Sequence, residues 1–404
     1  MQNKKNLVII GGGAAGFFAA ITAAEKNPEL AIIMLEQGLE VLGKVKISGG
    51  GRCNVTHACY DVKELIKFYP RGSKELLSAF YRFNCEHTIQ WFENRNVKLK
   101  TEEDGRMFPV TNNSQTIINC LLEQAALLKI QIIRQAKVMR IETGQSFSIY
   151  YNDKKILTDF LLIASGSNNT IWELLKNLGH EMIAPVPSLF TFNTKSELIK
   201  GLEGISINEV QLTLNDSKIN TEGAVLITHT GLSGPAILKL SAFAARILFD
   251  KKYQFEIEIN WIHQHTDNAI QQIKKEKESQ SKKQLNNFSP FDIPNRFWLK
   301  VLDVNGISHH KLVADLSKMD IQHIAQTLTE TVIKVYSKNT NKEEFVTAGG
   351  VSLKEVDFKT MESKVISNLY FAGEVLDIDA VTGGFNFQAA WTTGFIAGNS
   401  IGEK

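Results

Sequence analysis

The first forty positions follow the apolar–polar rhythm of a strand–helix–strand unit. Residues 7–10 are a short continuous apolar run, the form taken by a strand buried on both faces. Ala14–Lys26 is rich in alanine and reads as a helix, and residues 31–36 return to strand spacing, which completes one βαβ unit. Helical periodicity dominates residues 62–94, with a single break expected at Pro70-Arg71-Gly72; Phe80, Tyr81, Trp91 and Phe92 fall on its apolar face. Residues 97–110 are turn-like around Glu103-Asp104-Gly105, and Ser114 is placed to cap a helix running to about Leu128. Strand patterns recur at 130–133, 138–142, 147–151 and 160–164.

Pro185 and Pro187 mark a change of character. Up to about residue 341 the chain no longer alternates strand with helix, and residues 210–214 and 255–261 alternate as half-exposed antiparallel strands do. Residues 267–287 are polar and carry Lys274, Lys275, Lys277, Lys282 and Lys283, which suits a solvated helical face or, alternatively, a nucleic-acid patch. After Phe345 the glycine-punctuated apolar style returns, with a strand at 369–372 and a helix at 386–401. The pattern therefore predicts one discontinuous α/β nucleotide-binding domain interrupted by an insertion.

Composition narrows the class. With 404 residues, 43% hydrophobic and 22% charged, the chain can build a sizeable core and more than one unit. A net charge of only +2 argues against a protein built mainly to hold polyanions. No apolar run reaches membrane-spanning length, and the polar start at Met1 leads into a strand rather than a secretory signal, so a cytoplasmic setting and no membrane partner are expected. Cys53, Cys59, Cys85 and Cys120 include no Cys-x-x-Cys pair and no accompanying histidine cluster; free thiols are expected and a structural metal is not.

Gly11-Gly12-Gly13-Ala14-Ala15-Gly16 fits G-x-G-x-x-G between a strand and a helix. Gly11 permits the tight turn, Gly13 lets a pyrophosphate reach the backbone, and Gly16 permits close helix–strand packing. The helix N-terminus offers unpaired N–H groups to phosphate. Glu36, 20 residues beyond Gly16 at the end of the second strand, suits an adenosine ribose. This unit alone leaves FAD and NAD open. The tail favours FAD: 368–374 reads as a strand ending in the Gly373-Glu374 turn, and Gly383-Gly384-Phe385-Asn386 opens the last helix, whose positive end suits the pyrimidine edge of a reduced flavin.

Five blocks carry a family resemblance: residues 47–56 (Ile-Ser-Gly-Gly-Gly-Arg-Cys-Asn-Val-Thr), 105–109 (Gly-Arg-Met-Phe-Pro), 228–235 (Thr-His-Thr-Gly-Leu-Ser-Gly-Pro), 347–351 (Thr-Ala-Gly-Gly-Val) and 369–388. With the N-terminal loop they span nearly the whole chain in order, and the chain resembles the YhiN-type NAD(P)/FAD-dependent oxidoreductases, also called aminoacetone oxidase family FAD-binding enzymes. The resemblance implies a Rossmann-like two-dinucleotide-binding FAD domain, an inserted β-barrel-like domain and a small helical domain. The expected divisions are 1–187 and 344–404 for the FAD domain, 188–262 and 309–343 for the β-rich insertion, and 263–308 for the helical part. The sequence departs from the family at Ser165-Gly166, where Thr-Gly-Gly is usual, and at His57, where asparagine is common.

Candidate FAD contacts are Gly11, Gly13, Ala14, Ala15, Gly16, Glu36, Gln37, Lys44, Ser48, Gly51, Arg52, Asn54, Val138, Ala164, Gly166, Gly350, Gly373, Glu374, Gly384, Phe385 and Asn386. Candidate catalytic residues are Arg52, Cys53 and His229. Arg52 either binds an anion or forms a surface ion pair. Cys53 and Cys59 could exchange electrons with a flavin as a disulfide, but no second G-x-G-x-x-G provides a nicotinamide domain, which favours packing. His229 is placed either as a proton donor or beside a helix that Thr230 or Ser233 caps. Asp377 and Asp379 fit bracing of the tail loop better than acid catalysis.

Three functions follow: a flavin reductase saturating an activated double bond with electrons from NAD(P)H acting as a transient donor, a flavin amine or amino-acid oxidase, and a flavoprotein that binds or modifies RNA. The family resemblance brings in uridine of RNA as a substrate of the first kind, and amines for the second. The partner is thus a small-molecule substrate or RNA.

Overall fold

The computed structural model describes residues 5–339 and 346–404; the start at Met1 and the expected boundary at 343/344 lie outside the described residues. Two compact units result, Met1–Pro185 with Thr347–Lys404, and Val186–Val346.

In the first unit a seven-stranded sheet runs in the spatial order Val356–Asp357, Glu362–Ser363, Leu369–Phe371, Phe160–Ile163, Asn6–Ile10, Ala31–Leu35, Gln131–Ile133. The last five are parallel and the first two antiparallel. Leu7 to Ile10 and Phe160 to Ile163 are buried without alternation, as central parallel strands are. The tail strand pairs Leu161 with Leu369 and Ile163 with Phe371, so the far end of the chain joins the same sheet as its beginning.

The first helix, Ala14–Lys26, is buried through Ala24 and lies against the tail helix, Phe385–Gly402. Gly394 and Gly398 sit one helical turn apart where the two backbones meet: a Cβ on either would stand 2.7 Å from Ala15 O or 2.5 Å from Ala19 O. Phe18 fills one end of this contact against Phe83, Trp91 and Trp391. Each such fully buried ring contributes roughly 1.5–3 kcal/mol.

The helical stretch after residue 62 is broken twice, not once. After the turn at Pro70-Arg71-Gly72 the helix Ser73–Arg82 stops again at Phe83, because Asn84 accepts the N–H groups of Glu86 and His87 and starts Cys85–Glu93. Residues 97–110 form a hairpin, Leu99–Thr101 with Arg106–Pro109, joined on its other side by Thr56–His57. The next helix begins at Ser114 itself; its cap is Asn113, whose side chain accepts from Gln115 N–H, while Ser114 Oγ donates to Lys46 O. Val138–Glu142 and Phe147–Tyr151 gain a third strand, Lys154–Thr158, whose outward lysines hid it from the hydrophobic pattern.

The second unit is a closed barrel of six strands, Phe192–Thr194, Gly231–Ser233, Asn220–Thr228, Ser206–Leu214, Phe255–Asn260 and Thr331–Lys338 in spatial order. Alternate residues point inward, among them Leu212, Leu214, Ile257, Ile259 and Ile333. Helices Thr266–Ser279, Asn295–Val304 and Lys318–Thr329 pack with its core, so the stretch expected as the second β-rich part also contributes a 12-residue helix. Lys274, Lys275, Lys282 and Lys283 are exposed. Residues 263–330 hold 9 lysines and arginines against 8 acids, the balance of a solvated face. Among the described residues no helix is long and apolar enough to cross a membrane.

Candidate functional site

Strand Asn6–Ile10 runs into the phosphate loop. Gly11 N–H donates to Leu35 O at 2.9 Å, and its backbone passes so near the neighbouring strand that a Cβ would lie 2.3 Å from Ala164 O. A Cβ on Gly16 would lie 2.1 Å from Gly11 O. These two glycines pin strand, turn and helix together. Gly13 differs: no atom lies within 4 Å of where its Cβ would be. It is also the N-cap of the first helix, with no side chain capping it, so the helix's positive end is left without a side-chain partner beside that open space. Ser165 Oγ, next to Ala164, is buried without a hydrogen-bond partner. A bare cradle, an uncapped helix and an orphaned hydroxyl fit a bound diphosphate.

Glu36 follows the second strand. Gly12 N–H donates to its Oε2 at 2.8 Å and Gly38 N–H to its Oε1 at 2.7 Å. A carboxylate oxygen accepts two hydrogen bonds, so each keeps a lone pair for a ribose hydroxyl. Gln37 is exposed beside it.

The glycine–arginine loop continues a kinked helical segment, Gly43–Gly51. Ser48 is extended, and Gly49 and Gly50 are left-handed at φ 58° and 69°, which turns the chain sharply. Gly51 and Cys53 are left-handed as well. Ser48 Oγ donates to Val45 O at 3.0 Å, and Cys53 N–H to Ser48 O at 3.0 Å. Arg52 takes the ion-pair alternative: its guanidinium pairs with Glu102 at 2.6 Å and lies 4.0 Å from the Phe108 ring centre. Cys53 is fully buried, and burial pushes its thiol up to about 12. A thiol held in its protonated form by burial is a poor nucleophile, which weighs against catalysis and for packing. Cys59, half-buried, is pushed up to about 11 for the same reason, and all four cysteines are free thiols.

The tail turn at the start of the last helix is held from several sides. Gly384 is its N-cap, again without a side-chain cap. With the Asn54 amide oriented to satisfy its surroundings, its oxygen accepts from Gly384 N–H at 3.0 Å and its nitrogen donates to Thr56 O at 3.1 Å. Tyr69 OH donates to Phe385 O at 2.6 Å. The Phe385 ring stacks against Phe68, 4.2 Å away, and His57, 4.6 Å away, and those two rings lie 5.9 Å from each other. Burial lowers the His57 pKa, and Arg106 adds to the lowering against the opposing pull of Asp104. Val381 N–H donates to Phe68 O at 3.0 Å, and Arg71 pairs with the buried Asp379 carboxylate. The Asn386 side chain closes on Ala380, accepting from its N–H at 3.0 Å and donating to its carbonyl at 3.1 Å.

These parts meet within the first unit. Gly373 N–H donates to Thr393 Oγ1 at 2.9 Å, and a Cβ on Gly373 would lie 2.8 Å from the Ala15 methyl, so the tail touches the first turn of the first helix. Glu374 pairs with Lys44 and accepts from Thr347 N–H at 3.4 Å; Gly166 lies beside its carboxylate. Gly350 backs onto Val375 O. Val138 begins the separate three-stranded sheet and is buried there.

His229 belongs to the second unit, exposed on the turn between Thr228 and Gly231. Neither Thr230 nor Ser233 caps the helix that follows; Gly234 is its N-cap, and Thr228 Oγ1 accepts from Gly231 N–H at 3.2 Å. Sequence reasoning missed Phe68, Tyr69 and Arg71. Their signal was the aromatic pair before Pro70, which a helical reading absorbed into an apolar face.

Fold and site together define a Rossmann-type FAD-dependent oxidoreductase. The chain belongs to the HI0933-like family: the sequence profile of the HI0933-like protein Rossmann domain matches residues 5–400. A 3-dehydro-bile acid delta(4,6)-reductase from Clostridium scindens is 24% identical over 411 residues, covering 98% of each chain. A ribosomal RNA dihydrouridine synthase from Haemophilus influenzae is 26% identical over 422 residues, covering 100% of each. Among solved structures, 3-ketosteroid delta1-dehydrogenase from Sterolibacterium denitrificans, in complex with 1,4-androstadiene-3,17-dione, superposes with a TM-score of 0.50 at 10% identity, covering 98% of this chain and 99% of that one. At that identity the likeness is one of fold alone.

Proposed function

We propose that this protein is a flavin-dependent reductase that saturates a carbon–carbon double bond conjugated to a carbonyl, drawing its electrons from NAD(P)H. The observation that carries this reading is the uncapped N-terminus of the tail helix, clamped at Gly384 beside the phosphate loop's own helix. A fixed positive end there favours the electron-rich, reduced state of a flavin and so suits its reduction by a nicotinamide. When bound, FAD would supply two-electron hydride chemistry between NAD(P)H and one carbon of the double bond, with a proton from solvent completing the other carbon.

The remaining work belongs to the chain. The amides of Ala14 and Ala15 receive the diphosphate, and Glu36 accepts the ribose hydroxyls through the lone pairs its backbone bonds leave. The amides that follow Gly384, whose own N–H is taken by Asn54, present donors to the flavin's pyrimidine edge. NAD(P)H would act as a transient donor without a dinucleotide-binding domain of its own, since the sequence has no second G-x-G-x-x-G.

The names of the two full-length relatives support the bond class. A delta(4,6)-reductase removes carbon–carbon unsaturation, and dihydrouridine is uridine with one ring double bond saturated. Uridine in ribosomal RNA is therefore the second substrate reading, favoured by the relative from Haemophilus influenzae and consistent with a cytoplasmic setting. An amine oxidase is the competing reaction. Anaerobic titration of the yellow holoprotein decides: bleaching by NADH or NADPH supports the reductase, whereas bleaching by aminoacetone or another amine, with neither nicotinamide reacting, overturns it.

A further inference from the structure

We propose that Tyr69 is a positioning residue that sets the flavin's reduction potential through the Phe385–Asn386 peptide; this rests on reading the tail helix as the flavin's pyrimidine-side partner. Tyr69 is 2% exposed, and its hydroxyl donates to Phe385 O at 2.6 Å, across 316 positions of sequence. Burial raises its pKa well above the ordinary phenol value, so it remains a donor throughout the physiological range. Phe385 is the first residue of the tail helix, so its carbonyl belongs to the same peptide group as the N–H of Asn386, one of the first-turn amides that no side chain caps.

A hydrogen bond received by a peptide carbonyl draws charge through the amide and makes its own N–H a stronger donor. Tyr69 therefore acts on the Asn386 N–H both by fixing its direction and by polarising it. The Asn386 side chain leaves that amide uncovered, because both its polar atoms are engaged with Ala380. The pairing of Asn54 with Gly384 N–H removes one first-turn donor from the ligand's reach and leaves the next, the one Tyr69 strengthens. A packing role alone would be met by phenylalanine, since the ring already lies 5.2 Å from Phe80 and edge-on to Phe385.

The test uses the full chain with FAD bound and reads the flavin potential by equilibration with a reference dye, alongside FAD affinity and the visible spectrum. In Y69F the potential should fall so that reduced flavin is about tenfold less favoured over oxidised flavin, about 30 mV for a two-electron couple. F80L, which loosens packing against the Tyr69 ring but keeps its hydroxyl, should lower thermal stability and leave the potential where it is. Equal potentials in Y69F and the native protein, with FAD bound in both, overturn the proposal, as does an F80L shift as large as that of Y69F. If Y69F does not fold, F80L decides alone: an unmoved potential supports the role of the hydroxyl and a lowered one removes it. A native protein that takes up no FAD sinks the cofactor reading itself, a result distinct from FAD uptake with unchanged potentials.

Discussion

At the phosphate loop every shaping group comes from neighbouring sequence or the adjoining strand: Gly11, Gly13, Gly16, the Glu36 carboxylate that ties Gly12 to Gly38, and Ala164 O behind Gly11. The tail turn offers the same kind of amide end but is assembled from afar, by Asn54, His57, Phe68, Tyr69 and the Arg71–Asp379 pair. The first is a steric solution, set wherever a strand meets a glycine-rich helix start. The second is a web of hydrogen bonds, ring stacking and one ion pair that exists only once the unit has folded. A local loop can lose its ligand and keep its fold; an assembled turn is coupled to the stability of everything that holds it.

The largest effect should follow from breaking the web. Asp379→Ala leaves the Arg71 guanidinium beside a vacated buried site, and removing one partner of such a pair costs about 3–5 kcal/mol. Denaturant unfolding of the apoprotein should show the loss with no cofactor present; a variant within 1 kcal/mol of native stability, about the scale of an exposed pair, would mean the turn is not held by this pair. Gly13→Leu sharpens the other half of the comparison. Its Cβ enters open space, so the apoprotein should melt as the native one does, while FAD affinity drops by about 100-fold, or about 2.8 kcal/mol. A leucine variant that binds FAD normally would place the diphosphate elsewhere.

This contrast also explains what could be read in advance. The parallel strands, the first helix and the place of Glu36 beside the glycine loop were legible because apolar runs, alanine-rich spacing and a glycine motif act over a few residues. Alternation marked residues 210–214 and 255–261 as strands, but the barrel came from resemblance, since the bulge before Val210 and the outward polar residues of Asn220–Thr228 blur the rest of the pattern. The helix caps at Asn84 and Asn113 displaced the expected boundaries because one asparagine side chain outweighs a continuous apolar face locally. Asp379 was legible as a brace of the tail loop but its partner Arg71 was not, and Tyr69 was missed altogether: nothing near Tyr69 or Arg71 in sequence says that the other end of the chain will arrive. Cys53 is a reactive residue type in a glycine-rich loop, and folding buries it completely.

The smallest expected effect tests whether the web responds to pH. His57 stacks on Phe385, and Asp104 and Arg106 of the neighbouring hairpin are the charged groups that act on it. Burial holds its folded pKa below the unfolded value of 6.5, so the unfolded chain binds the proton more readily than the folded one. By linkage its contribution to stability is complete above pH 6.5 and declines as pH falls from there through the lowered folded pKa. Protonation would also set a cation beside the positive end of the tail helix, where it is repelled. His57→Gln keeps a planar polar side chain that cannot titrate. Thermal melts of the native protein should weaken progressively below pH 6.5 relative to those of the variant, and the two curves should run parallel above it. Curves that stay parallel through the acid range would show that the imidazole is a passive member of the stack.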